Sequence, residues 1–364
     1  MMPYRTVALL VLTSVLWGCQ THPATEPVSE DTSYLVNRFE NRLALKLFDD
    51  AFDELLSHDP EAQTQFGIHD QDGKWTPFSY QHSLEQVELM EAHLAKIGNS
   101  LDIERLNAQN RLSYELFRYN TLRRRQSLDF WWHRYPVNQM FGRHTGMPAF
   151  LINIHPGRNI TDLENYIRRL EAMEEQLDTL IAVMKTQKEK GIVAPAFVYT
   201  HAIENCRNLI EGAPFDGAET PSPLLADFES KVRHLNLAPE VGEVLIEQAR
   251  SALANHVGPG YRRLIEYLVD AGDGVTINAG VWKLPQGAAY YETNLEHYTT
   301  TGLTADEIHQ LGLDEVARIH AEIRAIMKKV GFDGSLEDTV PSTQLTTPTS
   351  TLVSVSLFDG SSTN

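Results

Sequence analysis

Residues 161–180 read TDLENYIRRLEAMEEQLDTL, a pattern that predicts a long amphipathic helix. Thr161 and Glu164 have the spacing of a capping box, in which the two side chains satisfy free backbone amides of the first helical turn. Apolar residues then recur every three or four positions and therefore share one helix face. They are Ile167, Leu170, Met173, Leu177 and Leu180. Such a stripe needs other helices to cover it, so this stretch predicts a mainly α fold.

Further helices are predicted on both sides of this one. Apolar residues at helical spacing lie over residues 35–56, 83–97, 103–127, 196–210, 223–235, 239–271 and 304–330. The last of these patterns has the clearest ends. Thr304 and Glu307 form a second capping box, and Gly331 suits the C-terminal cap. The sequence therefore predicts a multi-helix body.

Two segments do not follow the helical pattern. Residues 130–156 are rich in aromatic residues, glycine and proline, which predicts an ordered irregular segment. Val275 and Ile277 precede a turn-like Asn278-Ala-Gly280, and two further apolar residues follow it. That arrangement predicts one short β-hairpin at residues 275–283.

The N-terminus has the pattern of a signal peptide. Arg5 precedes an apolar run over residues 7–17, which is shorter than the roughly 20 residues that span a bilayer. The run ends in Leu16-Trp17-Gly18-Cys19, which resembles the lipobox of bacterial lipoproteins. The resemblance implies cleavage before Cys19 and attachment of lipid to its thiol. Because Gln20, and not Asp, follows the cysteine, we expect an outer-membrane anchor with the protein facing the periplasm.

These patterns divide the chain into four parts. We expect a signal peptide over residues 1–18, a polar tether over 19–32, a helical domain over 33–338, and a tail over 339–364. The tail has 13 Ser or Thr among 26 residues and a single charged residue. A segment of that composition supplies no helical stripe, so we expect it to be disordered. It is either a natural Ser/Thr-rich tail or the product of a reading-frame change.

Charge and cysteine content exclude several classes of protein. A formal net charge of −18 repels phosphate backbones, so we expect no nucleic-acid partner. The short basic cluster at residues 123–125 is interpreted as a solvated helix face with some ion pairs. With Cys19 lipidated, Cys206 is the only thiol left, which excludes a disulfide framework. We expect Cys206 to be an inert core residue.

A longer pattern carries a family resemblance. Residues 284–332 read LPQGAAYYETNLEHYTTTGLTADEIHQLGLDEVARIHAEIRAIMKKVGF, and related features occur in residues 59–75, 135–156 and 191–203. Together they resemble the bacterial lipoprotein family named domain of unknown function 885. The resemblance implies a helical body related to zinc peptidases of the gluzincin type. In those proteins a HExxH helix and a downstream glutamate bind zinc and activate water.

The residues of that zinc motif are absent from the sequence. None of the 14 histidines is followed by Glu with a second His four positions on. His309 and His320 lie on one predicted helix, but eleven residues place them roughly 16 Å apart, too far to share one zinc ion. We therefore carry over no catalytic or metal-binding residue. We expect no cofactor in this chain, and zinc only in full-length relatives.

The remaining candidate site residues are Tyr290, Tyr291 and His309, which could line a substrate cleft. Phenol groups can position a peptide carbonyl, although packing with a satisfied hydroxyl is the more common role of such residues. The leading hypothesis is an envelope lipoprotein that resembles the N-terminal part of a metallopeptidase-like protein and is catalytically incomplete. One alternative is a non-enzymatic lipoprotein that binds a peptide or protein partner in a helical groove. Another is a chain that does not fold stably alone.

Overall fold

The computed structural model describes residues 32–336 and 338, with side chains from residue 37 onward. Its first six helices are α1 (Thr32–Ser57), α2 (Pro60–Gln65), α3 (Tyr80–Ser100), α4 (Ala108–Leu128), α5 (Arg143–Asn153) and α6 (Ile160–Glu189). The next six are α7 (Ala196–Leu209), α8 (Pro223–His234), α9 (Pro239–Ala252), α10 (Gly258–Gly272), α11 (Gly287–Thr299) and α12 (Ala305–Lys329). Short 3-10 helices cover Ile103–Arg105, Trp131–His133 and Val281–Lys283, and a π-helical turn, Leu253–Val257, joins α9 to α10. The mainly α prediction is confirmed. The expected signal peptide, tether and tail lie outside the described residues.

Helix α6 forms the centre of the main core. The five apolar residues predicted to share a face are all buried there. They pack against α9, α10 and the π-helical turn, whose buried residues include Leu245, Tyr261 and Leu264, and α7 packs in turn against α10. A second, smaller cluster joins α1 to α3 and to the first 3-10 helix, through residues such as Leu47 and Ile97. The helices of these two clusters thus bury the apolar stripes that their sequence patterns mark.

Two helices begin earlier than predicted because a different residue caps them. Ser79 caps α3, four residues before the predicted start of this helix at residue 83, and its hydroxyl accepts a hydrogen bond from the amide of His82 at 3.0 Å. Asn159 caps α6 in place of the predicted Thr161, and its side chain accepts from the amide of Asp162 at 3.0 Å. In both cases a polar residue that lies earlier in the chain accepts a hydrogen bond from a backbone amide of the first helical turn.

The β-hairpin predicted at residues 275–283 does not form. Within the described residues there is no β-strand, and residues 275–280 have no regular secondary structure before the last 3-10 helix begins. The carbonyl of Thr276 accepts from the amide of Ala196 at the start of α7. Asn278 makes two local contacts. Its side-chain oxygen accepts a hydrogen bond from the backbone amide of Gly280, and its backbone carbonyl accepts one from the ammonium group of Lys283. These contacts occupy the groups that a paired strand would need.

The prediction of irregular structure over 130–156 is wrong for residues 143–153, which form α5. Gly146 and Pro148 weaken the helical pattern, because proline cannot donate to the carbonyl four residues earlier. That carbonyl belongs to His144, and it accepts a hydrogen bond from the hydroxyl of the buried Tyr261. A contact from α10 thus compensates for the bond that Pro148 removes. Residues 287–299, which include the predicted Tyr290 and Tyr291, form helix α11, which the sequence did not predict.

Helix α12 has the predicted ends and little packing. The capping box of Thr304 and Glu307 is present, and Gly331 follows the helix with a φ of +71°. Of the residues in α12, only Met327 is buried, and Val316, Ile319 and Ile326 are 43–59% exposed. Its apolar face therefore lies open along most of the helix. Within residues 32–336 and 338, no helix combines the length and apolarity needed to span a membrane.

Candidate functional site

A groove with a volume of about 540 Å³ lies where α2, the start of α3, the segment before α5, and α6 meet. We call it the aromatic groove. Its aromatic lining consists of Phe78, Trp131, Tyr135, Phe141 and Phe150. Its charged lining consists of Glu61, Arg134 and Arg143. Pockets that combine aromatic surface with a few convergent polar groups are typical of ligand sites.

An ion pair fixes one wall of the aromatic groove. The Nη2 atom of Arg143 donates to Glu61 Oε2 at 2.8 Å and to the carbonyl of Thr76 at 3.1 Å. Glu61 also accepts from the amide of Thr76, and the Arg143 guanidinium lies 5.7 Å from the centre of the Phe78 ring. Both charged side chains are mostly buried. The wall is therefore pre-organised, with polar edges available to a ligand.

Trp131 anchors the opposite wall through ring packing and one hydrogen bond. Its Nε1 donates to the hydroxyl of Ser83 at 2.9 Å. Its ring packs edge-on against Tyr80 at 5.8 Å and Trp132 at 4.7 Å, and tilted against Phe78 at 5.7 Å between centroids. Such clusters restrict the indole to one orientation. The aromatic surface of the groove is thus rigid.

A turn over residues 138–142 forms the rim of the groove. The Asn138 side chain accepts from the amides of Met140 and Phe141 at 3.0 and 2.8 Å, as in an Asx turn. Phe141 projects from this turn with 87% of its surface exposed. Gly142 is required beside it, because a Cβ there would lie 2.4 Å from Nδ1 of His144. The turn thereby presents an uncovered aromatic ring at the mouth of the groove.

A buried polar network supports the groove from behind. Arg169, which is fully buried, donates to Nδ1 of His155 at 2.8 Å and to the hydroxyl of Thr64 at 2.9 Å. Its guanidinium lies over the rings of Phe150 and Trp75. Burial lowers the pKa of His155 to about 4, so the imidazole is neutral and can accept from the arginine. The network fixes α2 and the wall residue Phe150 against α6.

The structure separates the three predicted cleft residues. Tyr290 is half-buried beside the groove: its ring lies 5.5 Å from Phe130 and 5.0 Å from His133 between centroids. Tyr290 also helps to raise the pKa of Tyr135 to about 12, after the larger effect of burial. Tyr291 is exposed on α11, and His309 is exposed on α12. No ring contact or hydrogen bond within the described residues joins His309 to either tyrosine.

The described residues offer no site for zinc. No group of three His, Cys, Asp or Glu side chains among them is placed to hold a metal ion. We therefore derive no step through a metal. Cys206 is a free, fully buried thiol on α7, and burial raises its pKa to about 12. The prediction that Cys206 is a core residue is confirmed, and the raised pKa favours an inert thiol.

Sequence reasoning missed the groove because its residues come from distant parts of the chain. Glu61, Phe78, Trp131 and Arg143 contribute from four separate segments. The one available signal was the cluster of aromatic residues after residue 130, which the sequence analysis interpreted only as irregular structure. An aromatic cluster next to glycines and prolines can form a binding surface as well as a core, and the pattern alone does not separate the two.

Fold and groove together define a mainly α-helical protein with a pre-formed aromatic groove. A family model described as a bacterial protein of unknown function (DUF885) matches residues 60–354. That range is most of the chain, so the chain belongs to this family. The family resemblance inferred from the sequence is confirmed, whereas the implied relation to zinc peptidases stays a hypothesis.

The fold is shared with solved structures, one of which carries a lipoprotein description. The crystal structure of "the putative lipoprotein from Colwellia psychrerythraea" matches with a TM-score of 0.68 and 18% sequence identity. The match covers 81% of this chain and 52% of that protein, so the chain spans about half the length of this solved relative. At this identity the likeness shows the fold alone. No curated protein matches the chain.

Proposed function

We propose that the chain is an envelope lipoprotein whose helical body binds peptides in the aromatic groove. The lipobox-like sequence before Cys19 and the lipoprotein description of the solved relative support the envelope location. The family resemblance supports the further proposal that this body corresponds to the substrate-binding part of a peptidase-like protein. The proposal assigns peptide binding to the described residues and does not assign peptide cleavage to them.

The observation that carries the proposal is the composition of the groove. Its exposed and half-buried rings, Phe141, Trp131 and Phe78, offer flat apolar surface to the side chains of a peptide. The Arg143–Glu61 pair and Gln65 present donors and acceptors that an extended backbone can use. Rigid aromatic surface next to polar groups is the arrangement in which a few residues dominate binding energy.

A peptide selection tests the proposal. The full chain, purified in mild detergent, is incubated with a library of random decapeptides, and retained peptides are measured by fluorescence anisotropy. Phe141→Ser removes the exposed ring at the mouth and should weaken binding about tenfold, as hot-spot truncations do. Because Phe141 is 87% exposed, the substitution should leave the fold intact.

Trp282→Ser is the matched control. Trp282 is 79% exposed and lies outside the groove lining, so its loss should leave peptide affinity unchanged. Failure of the chain to retain any peptide would contradict the proposal. Equal weakening by both substitutions would show non-specific contact with exposed rings, and it would also contradict the proposal.

A further inference from the structure

A second cavity of about 540 Å³ lies on the other side of Arg134, between α4 and α11. Arg134 lines both cavities, so the second cavity adjoins the aromatic groove. Its basic lining consists of Arg123, Arg124, Arg134 and His297, and its amide lining includes Asn120 and Asn294. No acidic residue lines it. In a chain with a net charge of −18, this is an unusual concentration of positive charge.

Arg123 is held in the wall of this cavity with part of its guanidinium unpaired. Its side chain is 10% exposed, so it is nine-tenths buried. Its Nη1 contacts Gln126 Oε1 and Glu296 Oε2, each at 2.9 Å. Its buried Nη2 has no acceptor among the described residues. Buried donors are rarely left without partners, so an unpaired guanidinium nitrogen indicates an environment that favours an anion.

Arg124 and Arg134 are exposed, and no acceptor within the described residues binds either guanidinium. The contrast with the next residue is informative. Arg125 points away from the cavity and is paired with Glu91 through two hydrogen bonds. Of the three consecutive arginines, the two that line the cavity therefore keep donors free. A guanidinium group binds a carboxylate through two parallel N–H···O hydrogen bonds. The unpaired guanidinium groups of Arg124 and Arg134 can each supply that geometry.

We infer that this basic cavity binds a carboxylate of the peptide held in the aromatic groove. The inference rests on the proposed peptide-binding function. Arg134 would contact the peptide where it passes from one cavity to the other, and Arg124 would bind the carboxylate. The amides of Asn120 and Asn294 suit the main-chain groups next to it. The carboxylate is either the C-terminus of the peptide or an acidic side chain.

Two pairs of peptides distinguish these sources. The first pair is the tightest-binding library peptide, synthesised with a free C-terminal carboxylate and with a carboxamide. The second pair is the carboxamide form with Glu or Gln at the third position from its end. We expect the carboxylate member of one pair to bind about 10- to 100-fold more tightly, the range expected for hydrogen bonds between charged groups. The pair that shows the difference identifies the source.

Substitutions locate the effect in the cavity. Arg124→Gln should reduce the carboxylate preference at least several-fold while leaving the affinity of the neutral peptide unchanged. Arg134→Gln should reduce the preference and also weaken binding of the neutral peptide, because Arg134 lines the aromatic groove as well. A merely structural effect would change both affinities alike. Arg118→Gln is the control, since Arg118 lies on α4, outside the lining, and pairs with Glu115. Arg123 is not substituted because it also holds Glu296.

Each outcome decides the inference. If peptides bind but neither pair shows a preference, the inference is wrong and the proposed function stands. A preference that survives both Arg124→Gln and Arg134→Gln would place the carboxylate elsewhere and would also overturn it. If no peptide binds in either form, the proposed function and this inference fall together.

Discussion

His144 is a buried residue whose imidazole has no partner in the described structure. It is fully buried on α5, and neither ring nitrogen has a hydrogen-bond partner. Burial lowers its pKa to about 4, so the ring is neutral when the protein is folded near pH 7. Leaving two polar atoms unpaired in a core costs free energy. His144 is therefore a position where an apolar residue should be tolerated.

We predict that His144→Met leaves stability at pH 7 unchanged or raises the free energy of unfolding by about 1–3 kcal/mol. The pH dependence should change as well. The folded pKa is depressed, so the unfolded chain binds the extra proton, and stability present above about pH 6.5 is lost as pH falls toward 4. In urea titrations between pH 7 and 5, the variant should therefore lose less stability on acidification than the parent.

His155→Met is the matched comparison. His155 has a similarly lowered pKa, but it accepts from the buried Arg169. Without the His155 imidazole, the buried Arg169 guanidinium lacks one of its acceptors. We therefore expect the free energy of unfolding to fall by about 3–5 kcal/mol, as for other broken buried networks. If His144→Met were as destabilising as His155→Met, the His144 imidazole must have a partner in solution.

Cys206 provides a second test at the scale of one residue. Burial raises the pKa of its thiol to about 12, so almost no thiolate forms at pH 8. We predict that iodoacetamide at pH 8 modifies Cys206 only after the protein is unfolded in urea, as measured by peptide mass spectrometry. Rapid modification of the folded protein would show that α7 opens readily or that the thiol is accessible.

At the scale of elements, α6 and α12 have similar sequence patterns and opposite environments. The apolar stripe of α6 is buried on every residue that the sequence marked, whereas the stripe of α12 is buried only at Met327, half-buried at Ile308 and Ile323, and otherwise exposed. The period of a pattern predicts which residues share a face. It does not predict whether another element covers that face, since this depends on the rest of the molecule.

We predict that Ile326→Ala in α12 changes the free energy of unfolding by less than about 0.5 kcal/mol, as for a surface position. Leu170→Ala in α6 should cost about 2–5 kcal/mol, because it opens a cavity in the main core. Urea denaturation followed by circular dichroism measures both. A cost above about 2 kcal/mol for Ile326→Ala would show that the face is covered in solution.

Helix positions were well predicted from sequence, and the main exceptions depend on tertiary contacts. The capping box of Thr304 was found because both of its residues are specified by type and spacing. Helix α5 was missed because its Pro148 is compensated by Tyr261, a residue more than a hundred positions away. The predicted hairpin failed because Thr276 bonds to the start of α7. Tertiary contacts of this kind leave no trace in a local pattern.

At the scale of the whole molecule, the groove could not be predicted because it is a property of packing. Helix α6 brings the segment after residue 130 against α2 and the start of α3, and only then do Trp131, Phe78 and Arg143 share one cavity. The predicted cleft residues came from one stretch of sequence. The structure keeps Tyr290 beside the groove and places His309 on a separate helix.

The location of the whole molecule gives the last prediction. A groove that binds peptides in the envelope requires that the body be exported and kept there, and the expected anchor is lipid on Cys19. The polar residues 20–32 follow that cysteine directly, so the helical body would lie close to the membrane. We predict that the full chain, expressed in a Gram-negative host, sediments with membranes and incorporates labelled palmitate.

The two cysteines of the chain make this test internally controlled. Cys19→Ala should abolish palmitate incorporation and either release the protein or leave an uncut precursor, because Cys19 is the only cysteine at the end of the signal-like segment. Cys206→Ala should keep both the label and the membrane association, because its thiol is buried in α7 and cannot accept lipid in the folded protein. Membrane fractions before and after a carbonate wash separate a lipid anchor from loose adsorption, since an anchored protein resists the wash. Palmitate on Cys19→Ala, or an unlabelled and soluble parent chain, would contradict the anchor and with it the envelope location.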